Sequence, residues 1–393
     1  MYDFTTVVSR HDSAKWLQMK EWNPNIEEGI IPFTVADMEL KHPPELIEGL
    51  KDFLEDAILG YAVPTVSYTN SVIQWMEKRH NWGIKKEWII ETPGVINAFF
   101  SAVGAFTDPG DGVILMSPVY YPFYKAIERN DRKVINNNLV RNTKGSYEID
   151  FQDLEEKAKD PRTKLLLFCS PHNPVGRVWK LEELKKLGEI CNKNGVLVLS
   201  DEIHFDLIMP GYKHIVYACI SNEFAQNCII CTAPSKTFNL AGMQVSNIVI
   251  PNENIRRTFL KFLLRTTFHP KLNMLGYKAC EIVYTQCDKW LDQLNLHILS
   301  NSEIVTNYMK EHLPMIKVTK LEGTYLLWMD FRAFGLDNQK LESIMHHEAQ
   351  VFFDEGYIFG CNGSGFERMN LACPTKPIID AMNRLKLTLA KYI

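Results

Sequence analysis

The sequence predicts an α/β fold with a largely parallel sheet, and three observations support that prediction. Short, uniformly apolar segments alternate with helical segments, as in strands that are buried on both faces of a sheet. Polar residues follow directly after several of these apolar segments, where open α/β sheets bind ligands. After about residue 251, long helical segments and a few strands replace the alternation, which indicates a smaller α+β domain at the carboxyl end.

The elements of the first part can be justified in chain order. The first forty or so residues are irregular, and we expect them to pack onto the smaller domain or onto a partner subunit. A helix opens at Pro43-Pro44, its apolar positions follow the helical period from Leu46 to Ala57, and Gly60 is expected to stop it. A further helix is expected over residues 181–194. The candidate strands are Trp88–Glu91, Gly112–Met116, Lys164–Cys169, Val196–Ser200, Asn227–Cys231 and Ser246–Ile250.

The second part begins near Pro251 and has a different pattern. Helical segments run from Asn252 to roughly Met309, and a final amphipathic helix has four apolar residues on one face. The candidate strands between them are Met315–Thr319, Thr324–Phe331 and Phe366–Leu371. The predicted organisation is an N-terminal segment (1–45) that packs with the small domain, a large domain (46–285) and a small C-terminal domain (286–393).

The bulk composition excludes several classes of function. The chain has 393 residues, of which 46% are hydrophobic and 23% charged, as expected for a soluble globular protein. A net charge of -4 gives no basic bias, so nucleic acids and anionic membranes are not expected partners. Neither a secretory leader nor a membrane helix is expected. Nine cysteines without a repeating spacing favour a reducing, cytoplasmic location.

Polar residues gather after four of the predicted strands. These residues form the segments Ser170–Gly176, Asp201–His204, Ser235-Lys236 and Thr92–Asn97, the last of which leads into a helix. Because the carboxyl ends of parallel strands lie at one edge of a sheet, the four segments should converge on one site. They contribute an amide, a carboxylate, a lysine, and a glycine turn at a helix N-terminus that suits phosphate.

These groups match the needs of pyridoxal phosphate. A lysine can hold an aldehyde as a Schiff base, a carboxylate can keep a pyridinium nitrogen protonated, and an amide can bond a ring hydroxyl. Each residue also has a plainer interpretation. Asp201 could be a helix cap or turn residue, Asn173 could start a turn, and Lys236 could be solvated. Their joint occurrence favours the cofactor site.

Several segments resemble a known family. Three resemble the signatures of fold-type I pyridoxal phosphate enzymes, the aspartate aminotransferase superfamily: SPHNPVGRVW (170–179), SDEIHFDL (200–207) and APSKTFNLAGMQ (233–244). Four more resemble the bacterial C–S β-lyases of the MalY/PatB and cystalysin type: PFTVADMEL (32–40), GYAVP (60–64), SPVYYPFYKAIE (117–128) and FERMNLACP (366–374). The resemblance covers essentially the whole chain. It implies a mainly parallel seven-stranded sheet with helices on both faces and a smaller α+β domain.

The resemblance implies a catalytic or ring-binding role for four residues. Lys236 would hold the cofactor aldehyde and, once released, would take the substrate Cα proton. Asp201 would pair with the pyridinium nitrogen, and Asn173 would bond the ring hydroxyl. Tyr120 would lie over the ring, with Tyr121 as its rival for that position.

The resemblance also implies the phosphate and substrate contacts. Val95 and Ile96 would offer backbone N–H groups to the phosphate, and Ser235 would add a hydroxyl. Tyr61 would reach the phosphate of the neighbouring subunit in a homodimer. Arg368 would bind the substrate α-carboxylate, because a planar guanidinium suits a carboxylate better than lysine does.

Two positions depart from the aminotransferase pattern. Many aminotransferases of this superfamily carry an arginine eight residues after the lysine, where this chain has Gln244, and often a serine three residues before it, where this chain has Ala233. The lyase branch lacks the same arginine. The departure therefore favours β-elimination over transamination.

The sequence thus predicts a cytoplasmic, homodimeric, pyridoxal phosphate-dependent C–S β-lyase. Its substrate would be an L-cysteine S-conjugate such as cystathionine, and its products pyruvate, ammonia and a thiol. An aminotransferase on the same scaffold is the alternative, and a regulatory protein that binds a transcription factor is a further one. His172 and His204 are left outside the catalytic set. No metal site is expected, because Asp37 and Glu39 have no His or Cys ligand beside them.

Overall fold

Strands and helices alternate through the first part of the chain, as the apolar pattern predicts. The computed structural model describes residues 2–10, 12–266 and 271–392. The strands are β1 (Ile89–Thr92), β2 (Gly112–Leu115), β3 (Lys133–Asn136), β4 (Val140–Arg141), β5 (Tyr147–Glu148), β6 (Thr163–Cys169), β7 (Leu197–Asp201), β8 (Cys228–Thr232), β9 (Ser246–Val249), β10 (Lys317–Val318), β11 (Leu326–Asp330), β12 (Asp354–Glu355) and β13 (Phe366–Asn370). The α-helices are α1 (Ala14–Trp22), α2 (Pro44–Asp56), α3 (Val66–His80), α4 (Val95–Phe106), α5 (Pro122–Glu128), α6 (Phe151–Ala158), α7 (Leu181–Lys193), α8 (Asn222–Ala225), α9 (Pro234–Thr237), α10 (Glu253–Thr266), α11 (Met274–Gln286), α12 (Asp288–His312), α13 (Asn338–Ser343) and α14 (Thr375–Leu389).

The central sheet has seven strands in the order β1-β9-β8-β7-β6-β2-β3. The five strands β3, β2, β6, β7 and β8 run parallel to one another. Strand β9 runs antiparallel to both of its neighbours, β8 and β1. Strand β1 therefore points the same way as the five parallel strands. The predicted mainly parallel, seven-stranded sheet is confirmed, and the carboxyl ends of six strands meet at one edge.

Both faces of this sheet are buried, which explains the continuous apolar runs in its central strands. In β6, Leu165 and Leu167 pack in one core cluster together with Phe99 of α4. The alternate residues Leu166 and Phe168 pack in the other cluster, on the side of α6 and α7. Successive side chains of a strand point to opposite faces, so a strand between two helical layers must be apolar at every position.

A second, antiparallel sheet occupies the C-terminal part, in the order β10-β11-β13-β12. In the β12–β13 pair, Asp354 lies opposite Arg368 and Glu355 lies opposite Glu367. Because side chains alternate along a strand, the first pair and the second pair face opposite sides of this sheet. The N-terminal segment runs beside it, where the Phe33 N–H donates to the Phe352 carbonyl at 2.9 Å.

The structure corrects several element predictions. Helix α2 ends at Asp56 rather than at Gly60, because the next apolar residues, Ile58 and Leu59, are exposed and provide no packing to extend it. Helix α1 (Ala14–Trp22) lies in the N-terminal segment that was expected to be irregular. The helical segments expected from Asn252 to roughly Met309 are confirmed as α10, α11 and α12, the last of which ends at His312. Strands β3 and β12 were not predicted, since β3 is a partly exposed edge strand and β12 has two residues. Across the described residues, no helix combines the length and apolarity that crossing a membrane requires.

Candidate active site

The segments that follow β1, β6, β7 and β8 meet at the carboxyl edge of the central sheet, as predicted. They enclose a cavity of about 400 Å³. Its walls are formed by Val35, Ala36, Pro93, Gly94, Val95, Ile96, Asn97, Tyr120, Tyr121, Cys169, Asn173, Asp201, Ile203, His204, Ser235, Lys236, Ala241, Gln244, Val245, Asp354 and Arg368. Eight of the nine residues implied by the resemblance line this cavity, and Tyr61 is the exception.

Lys236 enters the cavity from α9, the short helix that begins directly after β8. Its Nζ donates to the Ala36 carbonyl at 2.6 Å, and the Tyr325 hydroxyl donates to the same oxygen at 2.8 Å. Burial lowers the pKa of Lys236 to about 8, and the positive charge of Arg368 acts in the same direction. A buried amine with a lowered pKa is available both as a nucleophile and as a base.

Asp201 is the last residue of β7 and is 3% exposed. Its Oδ1 accepts a hydrogen bond from the Ile203 N–H at 3.3 Å. Burial raises the pKa of Asp201 to about 7, although this hydrogen bond and the charge of Lys236 oppose the shift. The ion pairs among the described residues do not include Asp201. Its carboxylate would therefore gain from a cationic N–H donor in the cavity.

Arg368 connects Asn173 to a carboxylate that the sequence analysis missed. Arg368 Nη1 donates to Asn173 Oδ1 at 2.8 Å, and Nε and Nη2 donate to Asp354 Oδ2 at 3.1 and 2.5 Å. A guanidinium has only donors, so the oxygen of Asn173 must face it, and the amide N–H groups of Asn173 remain for another acceptor. Asp354 also accepts from the Val35 N–H at 3.1 Å. It follows an apolar run in an unpredicted strand, so no motif identified it.

The N-terminus of α4 forms another wall of the cavity. Gly94 precedes the helix with a φ of 84°, a conformation that a side chain disfavours, and no side chain caps the helix within the described chain. The first N–H groups of a helix lack partners within it, and an anion satisfies them well. Val95, Ile96, Ser235 and Gln244 all line the cavity. The arrangement suits a phosphate that is held mainly by backbone N–H groups.

Two neighbouring tyrosines line the cavity after β2. The ring centroids of Tyr120 and Tyr121 are 5.3 Å apart. Burial raises the pKa of Tyr120 above its ordinary value, so its phenol stays neutral. Both residues lie in the wall of the cavity.

His204 also lines the cavity, although the sequence analysis left it out of the catalytic set. It is 3% exposed, and its Nδ1 has no hydrogen-bond partner in the described chain. Burial lowers the pKa of His204 well below its ordinary value, and the charges of Lys236 and Arg368 add to this effect. His204 is therefore a neutral imidazole in the wall of the site. His172 lies outside the cavity, and its Nε2 is 2.9 Å from the Pro118 carbonyl.

Tyr61 does not reach the cavity of its own chain. It is fully exposed, in a segment that also exposes Ile58, Leu59, Val63 and Val66. The same segment borders a separate surface pocket with residues 271–275. A run of exposed apolar side chains is typical of a surface that contacts another molecule.

Comparisons with known proteins agree with this geometry. The sequence profile of the family "Aminotransferase class I and II" matches residues 29–385. Cystathionine beta-lyase PatB of Bacillus subtilis (strain 168) is 41% identical over 360 residues, which are 92% of each chain. Protein MalY of Escherichia coli (strain K12) is 30% identical, over 95% of each chain. The crystal structure of cystalysin from Treponema denticola, which contains a pyridoxal 5'-phosphate cofactor, superimposes with a TM-score of 0.97 at 51% identity. The match covers 100% of this chain and 99% of that one.

Proposed function

The chain belongs to the aminotransferase class I and II family, and on this premise we propose that it is a pyridoxal 5'-phosphate-dependent C–S β-lyase. One observation carries the proposal. The Lys236 amine, the Asp201 carboxylate, the Asn173 amide and the N-terminus of α4 all line one cavity. They match, in turn, the aldehyde, ring nitrogen, ring hydroxyl and phosphate of this cofactor. The residues present therefore fit the group.

The ionisation of two buried residues supports the same assignment. Asp201 has a pKa raised to about 7 by burial, so a protonated ring nitrogen beside it would favour its charged form. Lys236 has a pKa lowered to about 8, so a substantial fraction of its amine is neutral near neutral pH. When bound, the cofactor would supply an electron sink for the charge that develops on the substrate Cα. Lys236 would then act as the base that removes the Cα proton.

Arg368 has the donors to hold the substrate carboxylate. Three of its five N–H groups are used by Asn173 and Asp354, which leaves one on each terminal nitrogen. Such a pair of donors binds a carboxylate through two charge-assisted hydrogen bonds. Asp354 would act as a positioning residue, because it fixes the guanidinium in the wall of the cavity.

The residues around the phosphate position favour elimination over transamination. Gln244 carries no charge at the position where many aminotransferases have an arginine, and Ala233 offers no hydroxyl. The phosphate would then be held mainly by the N-terminus of α4 and by Ser235. Elimination would tolerate this weaker hold better than transamination, because half-transamination would leave the cofactor in the site without a covalent bond to the protein.

We further propose that the protein is a homodimer with a small amino-acid substrate. The exposed apolar side chains of residues 58–66 support a subunit contact, in which Tyr61 of one protomer would reach the phosphate position of its partner. The division into an N-terminal segment, a large domain and a small domain at about residues 45 and 285 remains part of the proposal. The cytoplasmic location remains a prediction.

Product analysis with L-cystathionine tests the proposed function. We expect pyruvate, ammonia and homocysteine in equal amounts without an added keto acid, and no turnover by the Lys236→Ala variant. Half-transamination of alanine or glutamate should be slower by at least about a hundredfold, which corresponds to roughly 2.7 kcal/mol of barrier. Turnover that requires 2-oxoglutarate and releases no thiol would identify the protein as an aminotransferase instead.

A further inference from the structure

Three metal-ligating side chains meet on the side of the β12–β13 pair that faces away from Arg368. Glu342 comes from α13, His346 from the π-helix Ile344–Ala349, and Glu355 from β12. One donor atom of each lies within 4.8 Å of the other two. His346 Nε2 is 3.1 Å from Glu355 Oε1. The three atoms are close enough for one cation to bind all of them.

A second, independent feature points to a ligand at this place. Glu355 is 7% exposed, and its buried Oε1 has no hydrogen-bond partner within the described residues, since His346 lies at ion-pair distance without hydrogen-bond geometry. A buried carboxylate oxygen without a hydrogen bond is costly. Glu367, which is 3% exposed, lies opposite Glu355 in the strand register and brings another carboxylate. Buried carboxylates that face one another require a cation or a proton between them.

The surrounding residues hold the candidate ligands in place. The indole of Trp22 stacks on the ring of His346, with centroids 4.5 Å apart. Asn23 Nδ2 donates to the His346 carbonyl at 2.8 Å, and the Tyr357 hydroxyl donates to Glu342 Oε2 at 3.1 Å. Outer contacts of this kind orient ligands at metal sites. The π-helix is also a rare element that is often found at functional sites.

We propose that Glu342, His346 and Glu355 bind a divalent cation, with Zn²⁺ as the best probe. One imidazole and two carboxylates form a donor set that suits Zn²⁺. Mg²⁺ prefers oxygen ligands alone and gives up its water reluctantly, so it should bind more weakly. The site is separate from the cavity, because Glu355 and Asp354 point to opposite faces of the sheet. It does not depend on the proposed function.

A zinc titration of the holoenzyme tests this proposal. The protein is first dialysed against a chelator, and Zn²⁺ binding is then measured by calorimetry. We expect one high-affinity Zn²⁺ site per chain, and binding of Mg²⁺ at least about tenfold weaker. The variant His346→Gln should weaken Zn²⁺ binding at least about tenfold, since even outer-shell changes at metal sites have effects of this size. His347→Gln is the matched control, because His347 is the exposed neighbour on the same π-helix. It should bind Zn²⁺ like the unaltered protein.

A second variant covers the case in which His346→Gln folds poorly. Glu355→Gln keeps the shape of the side chain and should also lose Zn²⁺ binding. Zn²⁺ should raise the Tm of the unaltered protein and of His347→Gln. It should not raise the Tm of Glu355→Gln. The exposed Cys219 and Cys361 are present in every variant, so zinc captured by thiols would not differ among them. Equal zinc binding by all variants, or no zinc binding by the unaltered protein, would overturn the proposal. The buried carboxylates would then share a proton instead of a cation.

Discussion

Replacing Asp201 by asparagine is expected to stabilise the cofactor-free protein and to weaken cofactor binding. Asp201 is almost fully buried at the end of β7, and within the described chain it forms no ion pair. Asparagine has nearly the same shape as a protonated aspartic acid but never carries the charge. The variant therefore removes the cost of burying a carboxylate while the packing stays the same.

The size of the effect follows from the pKa shift. Burial raises the pKa of Asp201 from 3.8 to about 7. A group whose pKa is raised in the folded state binds more protons there than in the unfolded state, so stability falls as pH rises between the two values. A shift of this size corresponds to about 4 kcal/mol. The loss of stability caused by the buried carboxylate is absent below about pH 4 and complete above about pH 7.

Urea denaturation of the cofactor-free protein at pH 4 and at pH 8 measures this effect. The free energies of unfolding of Asp201→Asn and of the unaltered protein should be similar at pH 4. At pH 8 the variant should be more stable, by up to about 4 kcal/mol. Equal stability at both pH values would show that the carboxylate is not strained by burial, and the electrostatic argument for a cationic ring nitrogen beside it would fail.

The same substitution should have the opposite effect on the holoenzyme. A charge-assisted hydrogen bond to the ring nitrogen is worth about 1.5–3 kcal/mol, so the dissociation constant of the cofactor should rise roughly ten- to a hundredfold. Equilibrium dialysis with absorbance of the bound cofactor measures this change. Unchanged cofactor affinity would remove Asp201 from the cofactor site.

Three further substitutions test other parts of the site. Arg368→Lys keeps the charge beside Asp354 but loses the planar guanidinium. The KM for amino-acid substrates should therefore rise roughly tenfold or more while the cofactor stays bound. An unchanged KM would exclude Arg368 from substrate binding. Gln244→Arg adds a cation near the phosphate position and should slow cofactor loss during dialysis, and an unchanged rate of loss would place the phosphate elsewhere. Val63→Asp puts a charge in the exposed apolar segment and should shift the protein from dimer to monomer, as measured by light scattering. An unaffected dimer would show that this surface is not the subunit contact.

The sequence predicts most of the cavity because its residues follow recognisable strands. Asp201 is the last residue of β7, whereas Asn173 and Lys236 each come four residues after the end of a neighbouring strand. The shared direction of β6, β7 and β8 brings all three to one edge. Their convergence is a consequence of parallel topology. It could therefore be inferred without any coordinates.

The remaining contacts depend on long-range register, which the sequence does not display. Asp354 reaches Arg368 because a two-residue strand pairs with β13 in one particular alignment. Two residues are too few for a periodic pattern, and a shift by one position would turn Asp354 to the other face. The cluster of Glu342, His346 and Glu355 was missed for the same reason, since its ligands come from a helix, a π-helix and that short strand.

The β12–β13 pair places these two features on opposite faces of the same two strands. Asp354 fixes Arg368 in the wall of the cavity, while Glu355, the next residue, contributes to the carboxylate cluster behind it. Adjacent residues of a strand are about 3.3 Å apart, so the same short stretch of backbone carries both side chains. Asp354 in turn holds two of the donor nitrogens of Arg368. The proposed substrate arginine and the proposed cation site are therefore supported by the same two strands, although no side chain is shared between them.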